Sequence, residues 1–216
     1  MILTAIAPDR LPAVIEEFAA QLAPPERAVF RRIADPAKAA RAEGAEAARH
    51  HDEACALASE FGMALLTGSP MLDYAWNGHA LRRETEAYVL LHEIAHFQLA
   101  PPERREAIDF GLGAGPETGD RDGAERAATV FGAERENEEA MASLLGVLWE
   151  VELGQPGFAS FLDQNWLEGA GRPGAAQHFS AVLAALQERG LIDAQGRPQK
   201  RLAAPVAITA VPARAG

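Results

Sequence analysis

The chain has 216 residues, 48% of them hydrophobic, which is enough for one sizeable core. Acidic residues outnumber basic ones by 31 to 20, and the resulting net charge of −11 argues against binding to nucleic acid or to an anionic membrane. A single cysteine excludes an intrachain disulfide and fits a reducing compartment. The first residues lack the basic stretch of a signal peptide, and no apolar run reaches about 18 residues. We therefore expect a cytoplasmic protein without a membrane span.

The predicted helices are recognised by apolar residues at helical spacing and by Pro or Gly at their ends. In chain order they cover residues 10–22, 36–61 with a break near Gly44, 81–99, 124–152, 157–166 and 174–189. Residues 63–77 predict a short strand or two with Gly-Ser-Pro and Asn-Gly turns, and residues 191–198 predict a strand and turn. Residues 111–124 are rich in Gly and predict a loop.

These elements define an α+β fold that is mainly helical, with a small β element. We expect one domain over residues 1–202 that contains any metal site. Residues 203–216 have little to pack against and predict a flexible tail.

The segment LLHEIAHFQLAPPER, residues 90–104, places two histidines four positions apart, with a glutamate after the first. On a helix, positions i and i+4 lie on the same face, so His92 and His96 can both direct an imidazole at one small object. Glu93 lies about 100° further round the helix, within reach of a group bound between the rings. This is the H-E-x-x-H pattern, whose usual occupant is a divalent metal ion. The alternative is two core histidines that bond to backbone or carboxylate groups.

Two imidazoles leave a metal site incomplete, and the third ligand is expected from a later helix. The candidates are the glutamates of ERENEEAMASLLG, namely Glu134, Glu136, Glu138 and Glu139. Glu139 is favoured because its face of the helix is small enough to nest against the histidine helix. The residues that share this face are Ala142, Ser143 and Gly146. The other three glutamates suit a solvated run of charge at the helix N-terminus, although Glu136 and Glu138 remain open as ligands.

Three stretches together resemble the elongation factor P hydroxylase family. They are HEIAHFQLA with the following RREAIDFG, a helix that begins with glutamates, and LGQPGFASFLDQNWLEG, which together cover about residues 88–170. In the family pattern a glutamate stands fifteen residues before the glycine of Gly-x-Pro, and counting back from Gly154 gives Glu139. The chain departs from the pattern after Gly111, where LGAGPETG replaces aromatic residues, and after Glu139, where Ala-Met-Ala replaces a more polar turn.

The resemblance implies an iron-dependent hydroxylase, a monooxygenase in which His92, His96 and Glu139 bind Fe(II). Two histidines and one carboxylate leave positions on iron open for dioxygen. The implied substrate is a modified lysine on a translation factor. Independently of the resemblance, the H-E-x-x-H motif predicts a zincin-like pairing of its helix with the later glutamate-bearing helix.

Chemistry alone offers a second interpretation. Zn²⁺ on the same ligands would acidify a bound water, with Glu93 as general base, and the protein would be a metallopeptidase or another hydrolase. Imidazole and carboxylate suit both metals, so the sequence leaves iron and zinc open. A third interpretation is a binding protein without catalytic activity that keeps the two helices as a scaffold.

Four other patterns in the sequence are weaker. Asp109 could orient a ligand histidine or could be a helix cap or surface carboxylate. The glycines of residues 111–115 predict a flexible loop, which could cover the metal site. His50 and His51 are expected on a solvated helix face, and Cys55 as a small buried residue.

Overall fold

The computed structural model describes residues 6–67, 74–116 and 118–203, and over these ranges the chain forms helices and two short strands. The helices are α1 (Leu11–Ala20), α2 (Pro24–Ile33), α3 (Gly44–Glu60), α4 (Ala87–Leu99), α5 (Pro102–Arg105), α6 (Arg121–Ala127), α7 (Gly132–Glu152), α8 (Gly157–Asp163) and α9 (Pro173–Glu188). The strands are β1 (Ala64–Leu66) and β2 (Ala80–Arg82), which pair in parallel. The prediction of a mainly helical chain with a small sheet is confirmed.

The centre of the molecule is the contact between α4 and α7, and α3 packs on another side of α4. The two central helices approach closely because α7 has a glycine at the crossing. A Cβ atom at Gly146 would lie 3.3 Å from the Cα atom of His92, which is tighter than ordinary van der Waals contact. Gly146 lies seven residues after Glu139, which is two helical turns along the same face. The close crossing therefore places Glu139 beside the histidine helix.

A second part of the core holds α8 and α9 against the first two helices. It contains four fully buried phenylalanines, Phe18, Phe30, Phe161 and Phe179. The rings of Phe18 and Phe179 meet edge to face, with centroids 5.8 Å apart, and those of Phe161 and Phe179 do the same at 5.9 Å. Burying one such ring contributes about 1.5–3 kcal/mol. This cluster fixes the end of α8, which lines the cavity described below.

Two helix starts differ from the sequence prediction. The helix predicted over residues 81–99 begins only at Ala87, because residues 80–82 form β2 and pair with β1. The helix predicted over residues 36–61 is a single 3-10 turn at Pro36–Lys38 followed by α3, which begins at Gly44. The predicted break near Gly44 is therefore confirmed.

The helix predicted over residues 124–152 is interrupted between α6 and α7. The backbone N–H groups of Thr129 and Val130 instead donate to the carbonyl oxygen of Gly111, at 2.7 and 3.1 Å. These bonds to a distant residue replace the local bonds that a continuous helix would form. The helix predicted over residues 157–166 likewise ends at Asp163.

The strand predictions hold only in part. Residues 63–77 contain β1, but its partner β2 follows this stretch and runs parallel to it, so the two strands do not form a hairpin. The predicted Asn-Gly turn is present: the backbone N–H of Asn77 donates to the carbonyl oxygen of Ala80 at 3.3 Å, and Trp76 and Leu81 form an isolated antiparallel bridge. The Gly-Ser-Pro turn lies outside the described residues. Residues 191–198 form one isolated antiparallel bridge between Ile192 and Pro198 instead of a strand.

The last described residues are bound to the histidine helix. The side chain of Gln98 donates to the carbonyl oxygens of Gln199 and Arg201, at 2.9 and 2.8 Å. The backbone N–H of Ala203 donates to the carbonyl oxygen of Gln98, at 2.7 Å. The rest of the predicted tail, residues 204–216, lies outside the described residues. Of the helices that the structure describes, none is both long enough and apolar enough to cross a membrane.

Candidate metal centre

The two histidines of the H-E-x-x-H segment face each other on successive turns of α4. Their Nε2 atoms are 3.0 Å apart, and their rings are nearly perpendicular, with an interplanar angle of 89°. The side chain of His96 is only 4% exposed, and its ring stacks on Phe110 with centroids 5.7 Å apart. His92 is more accessible, at 26%. The helix and the aromatic contact together direct both Nε2 atoms toward one point.

Glu139, on α7, completes the cluster. Its Oε2 atom lies 3.4 Å from Nε2 of His96 and 3.7 Å from Nε2 of His92. The three ligand atoms all lie within 4.8 Å of one another. Two imidazole nitrogens and one carboxylate oxygen at such spacing suit a divalent transition metal. These residues could therefore hold a metal ion, as the sequence predicted.

The neighbouring glutamate, Glu138, is paired with an arginine and does not join the cluster. Glu138 accepts two hydrogen bonds from Arg104, at 3.1 Å to Oε1 and 2.5 Å to Oε2. Their side chains are 9% and 15% exposed, and Arg104 also donates to the carbonyl oxygen of Phe110 at 2.9 Å. Glu134 and Glu136 are exposed, as expected for a solvated run of charge. Of the four candidate glutamates, only Glu139 joins the histidine cluster.

The pKa values of the three cluster residues are shifted by burial and by one another. Burial acts to raise the pKa of Glu139, but its hydrogen bonds to His92 and His96 outweigh burial and lower the pKa. Burial acts to lower the pKa of His96, but Glu139 outweighs it and raises that pKa, whereas the pKa of His92 is lowered by burial. The carboxylate and the His96 imidazole therefore shift each other's pKa in opposite directions, as expected for an acidic and a basic group in contact.

Glu93 lies in the wall of the same site. Burial, with the nearby charges of Asp109 and Glu139, raises the pKa of its carboxyl to about 7, against the lowering effect of His96. A carboxyl with such a pKa can hold a proton or release it near neutral pH.

The cluster opens into a cavity of about 740 Å³. Its described lining combines acidic, aromatic and histidine side chains, among them Glu93, Asp109, Glu168, Trp166 and His178. None of the lining residues that the structure describes is a lysine or an arginine. The cavity is large enough for a side chain or a small molecule.

Asp109 does not orient a histidine, so that prediction is wrong, and it is neither a cap nor a surface carboxylate. It is buried, and it accepts hydrogen bonds from the hydroxyl of Thr118 at 2.7 Å and from the backbone N–H of Trp76 at 3.4 Å. The Nδ1 atoms of His92 and His96 are buried, without a hydrogen-bond partner among the described residues. Burial raises the pKa of Asp109.

The backbone beside the cluster is strained. Asp109 and Phe110 have φ values of 42° and 54°, in the left-handed region that residues other than glycine seldom adopt. The following residues Leu112, Gly113, Gly115 and Pro116 line the cavity, so the glycine-rich loop does lie beside the site. The bond between Asp109 and Thr118 ties the two ends of this loop together.

Several cavity residues carried no predicted functional role, among them Ser143, Gln164 and Trp166. Ser143 follows Glu139 by one helical turn, and this spacing is the one signal that the sequence offered. His50, which was expected on a solvated face, is buried and has its pKa lowered by burial, whereas Cys55 is buried as expected. Neither lies in the metal cluster.

Comparison of the chain with models of protein families, with curated proteins and with solved structures finds no match in any of the three. The site itself therefore carries the functional argument.

Proposed function

We propose that the protein is a metal-dependent enzyme, and that it is a non-haem iron hydroxylase acting on a protein side chain. The observation that carries the proposal is the convergence of His92, His96 and Glu139 on one point at the wall of a large cavity. Two histidines and one carboxylate are the ligand set typical of non-haem iron oxygenases. The resemblance to elongation factor P hydroxylases supports the same metal and suggests a translation factor as substrate. We expect the enzyme to act in the cytoplasm.

In this proposal the residues of the chain have separate tasks. His92 and His96 bind the metal through Nε2 and Glu139 binds it through Oε2, on a pair of helices arranged as in zincins. Phe110 stacks on His96 and fixes its ring. Glu93 holds or accepts a proton at its carboxyl in the cavity wall. When bound, Fe(II) would supply activation of dioxygen, whereas Zn²⁺ would supply Lewis-acid activation of water.

A zinc hydrolase is the second candidate, and the placement of Glu93 favours it. The residue directly follows His92 and lines the same cavity as the three ligands, which is where the general base of an H-E-x-x-H peptidase belongs. In this alternative Glu93 is indispensable because it takes the proton of the attacking water.

The first experiment tests the metal site itself. Purified protein, freed of metal and then incubated with Fe(II) or Zn²⁺, is expected to bind about one ion per chain. His92→Ala and Glu139→Gln should each lower the measured occupancy strongly, and His178→Ala, at a histidine of the same cavity outside the cluster, should not. Full occupancy in His92→Ala would refute the site.

The second experiment separates the two candidate functions. Protein reconstituted anaerobically with Fe(II) is expected to show oxygen-dependent optical changes, and the zinc form is expected not to cleave peptides. In Glu93→Gln the metal should stay bound; complete loss of turnover is expected for a hydrolase and partial loss for a hydroxylase. An inert iron form beside a zinc form that cleaves peptides would reverse our choice.

A further inference from the structure

The end of α8 brings a carboxamide to the same face of α7 as the metal cluster. Ser143 lies four residues after Glu139, so both side chains emerge from one face of α7, about 6 Å apart. Gln164, directly after α8, contacts Ser143, and both residues line the cavity. Measured along the axis of α7, the Gln164 carboxamide therefore lies about one helical turn beyond the carboxylate of Glu139.

Three side chains form a directed chain of hydrogen bonds at this position. The indole Nε1–H of Trp166 donates to Oγ of Ser143 at 2.9 Å. The hydroxyl of Ser143 then donates its one proton to Oε1 of Gln164, at 2.5 Å. Because its oxygen faces Ser143, the Gln164 carboxamide presents Nε2 on its other side. No hydrogen-bond acceptor for Nε2 is found among the described residues, so both of its N–H groups can donate to a ligand in the cavity.

The backbone holds this arrangement rigidly. After α8 the chain turns through Asn165, which has a φ of 62°, and the N–H of Trp166 donates to the carbonyl oxygen of Phe161 at 3.2 Å. This is the bonding pattern of a helix terminated by a left-handed residue. Trp166 is only 7% exposed and stacks on Phe161, with centroids 5.7 Å apart. Locked rotamers of this kind are what a positioning residue needs.

The type of donor selects the type of acceptor. A carboxamide N–H is uncharged, and the described lining of the cavity holds no lysine or arginine. No charge-assisted hydrogen bond to a ligand carboxylate is therefore available at this position from a lysine or an arginine, whereas a neutral amide carbonyl oxygen suits the carboxamide N–H. We propose that Gln164, oriented by Ser143 and Trp166, is a positioning residue that donates to an amide carbonyl oxygen of the substrate beside the metal. This inference rests on the proposed metal site and adds the class of substrate, an amide.

Two small probes test it without knowledge of the substrate. Acetohydroxamate and the hydroxamate of N-acetylglycine both bind a divalent metal through the hydroxamate, but only the second carries an additional amide carbonyl. Their dissociation constants for the zinc-loaded protein are measured by isothermal titration calorimetry. We expect the extra carbonyl to strengthen binding to the wild type about three- to tenfold, the effect of one neutral hydrogen bond.

The gain in affinity should depend on the Gln164 carboxamide and on its orientation by Ser143. In Gln164→Leu and in Gln164→Glu, which keeps the shape but loses the donors, the two dissociation constants should become nearly equal. Ser143→Ala should retain part of the gain. Gln187→Leu, on the exposed side of α9, is the matched control and should retain all of it. Zinc stoichiometry and thermal unfolding identify any variant that is misfolded. If Gln164→Leu is misfolded, Gln164→Glu is used in its place.

The outcomes separate the inference from the proposed function. If zinc and acetohydroxamate bind but the extra carbonyl adds nothing in the wild type, or its gain survives in both Gln164 variants, the inference is refuted and the metal site stands. If the wild type binds no zinc, the metal site fails, and the inference with it.

Discussion

Glu138 and Glu139 are adjacent on α7, yet Glu138 pairs with Arg104 and Glu139 joins the histidine cluster. We therefore expect Glu138→Gln to lower the stability of the fold and Glu139→Gln to weaken metal binding. Glu138→Gln leaves the guanidinium of Arg104, which is 15% exposed, without its carboxylate. Breaking a buried ion pair by removing one partner costs about 3–5 kcal/mol. For a domain of this size, that loss lowers the melting temperature by roughly 6–20 °C, since 1 kcal/mol corresponds to about 2–4 °C. Metal occupancy measured below the transition should remain near that of the wild type.

Glu139→Gln should behave in the opposite way. Its side chain is 42% exposed, so without metal its loss should change the free energy of unfolding by no more than about 1 kcal/mol. It should nevertheless bind metal far more weakly. Urea unfolding with a chelator present gives the stability of both variants, and metal analysis gives their occupancy. A Glu138→Gln protein as stable as the wild type, or one that loses metal while Glu139→Gln keeps it, would refute the assignment.

Three further changes test the packing and electrostatics around the site. Gly146→Ala should lower the free energy of unfolding by about 1–3 kcal/mol, because the added Cβ would press on the backbone of α4. The control is Gly174→Ala, where the added Cβ meets nothing within 4 Å; it should leave the stability unchanged or raise it in the same denaturation assay. Burial raises the pKa of Glu150 to about 7, so the native state binds its proton more tightly than the unfolded state, and stability falls from pH 5 to pH 8. Glu150→Gln should remove this contribution of up to about 3 kcal/mol, and equal pH dependence in both proteins would contradict it. Thr118→Val should lower the free energy of unfolding by about 1–3 kcal/mol, because the buried carboxylate of Asp109 loses a hydrogen-bond donor. It should also speed amide hydrogen exchange in residues 111–116, and unchanged exchange would contradict the role given to this bond.

The sequence by itself determined the features that depend on local spacing. The helical character of residues 90–99, the common face of His92 and His96, and the preference for Glu139 all follow from the helical period and from small residues on one face. The structure places these three side chains together. The mainly helical class followed for the same reason, because apolar periodicity is written into each segment separately.

Tertiary structure decided what depends on partners far along the chain. The sequence predicts that a helix starts at Leu81, but this residue lies in β2, where it pairs with Leu65 of β1. The sequence favours Glu139 but leaves Glu138 open as a ligand, and only the structure shows that Glu138 is paired with Arg104, which lies 34 residues away in the chain. Asp109 finds Thr118 and Trp76 instead of a histidine.

The orientation of the Gln164 carboxamide shows the same limit most clearly. It depends on a hydroxyl 21 residues earlier in the chain, which is itself fixed by the indole of Trp166. No periodicity encodes such contacts, because they arise only when α7 and the end of α8 pack together. The sequence therefore specified which side chains could bind a metal, and packing specified which of their neighbours line the cavity beside them.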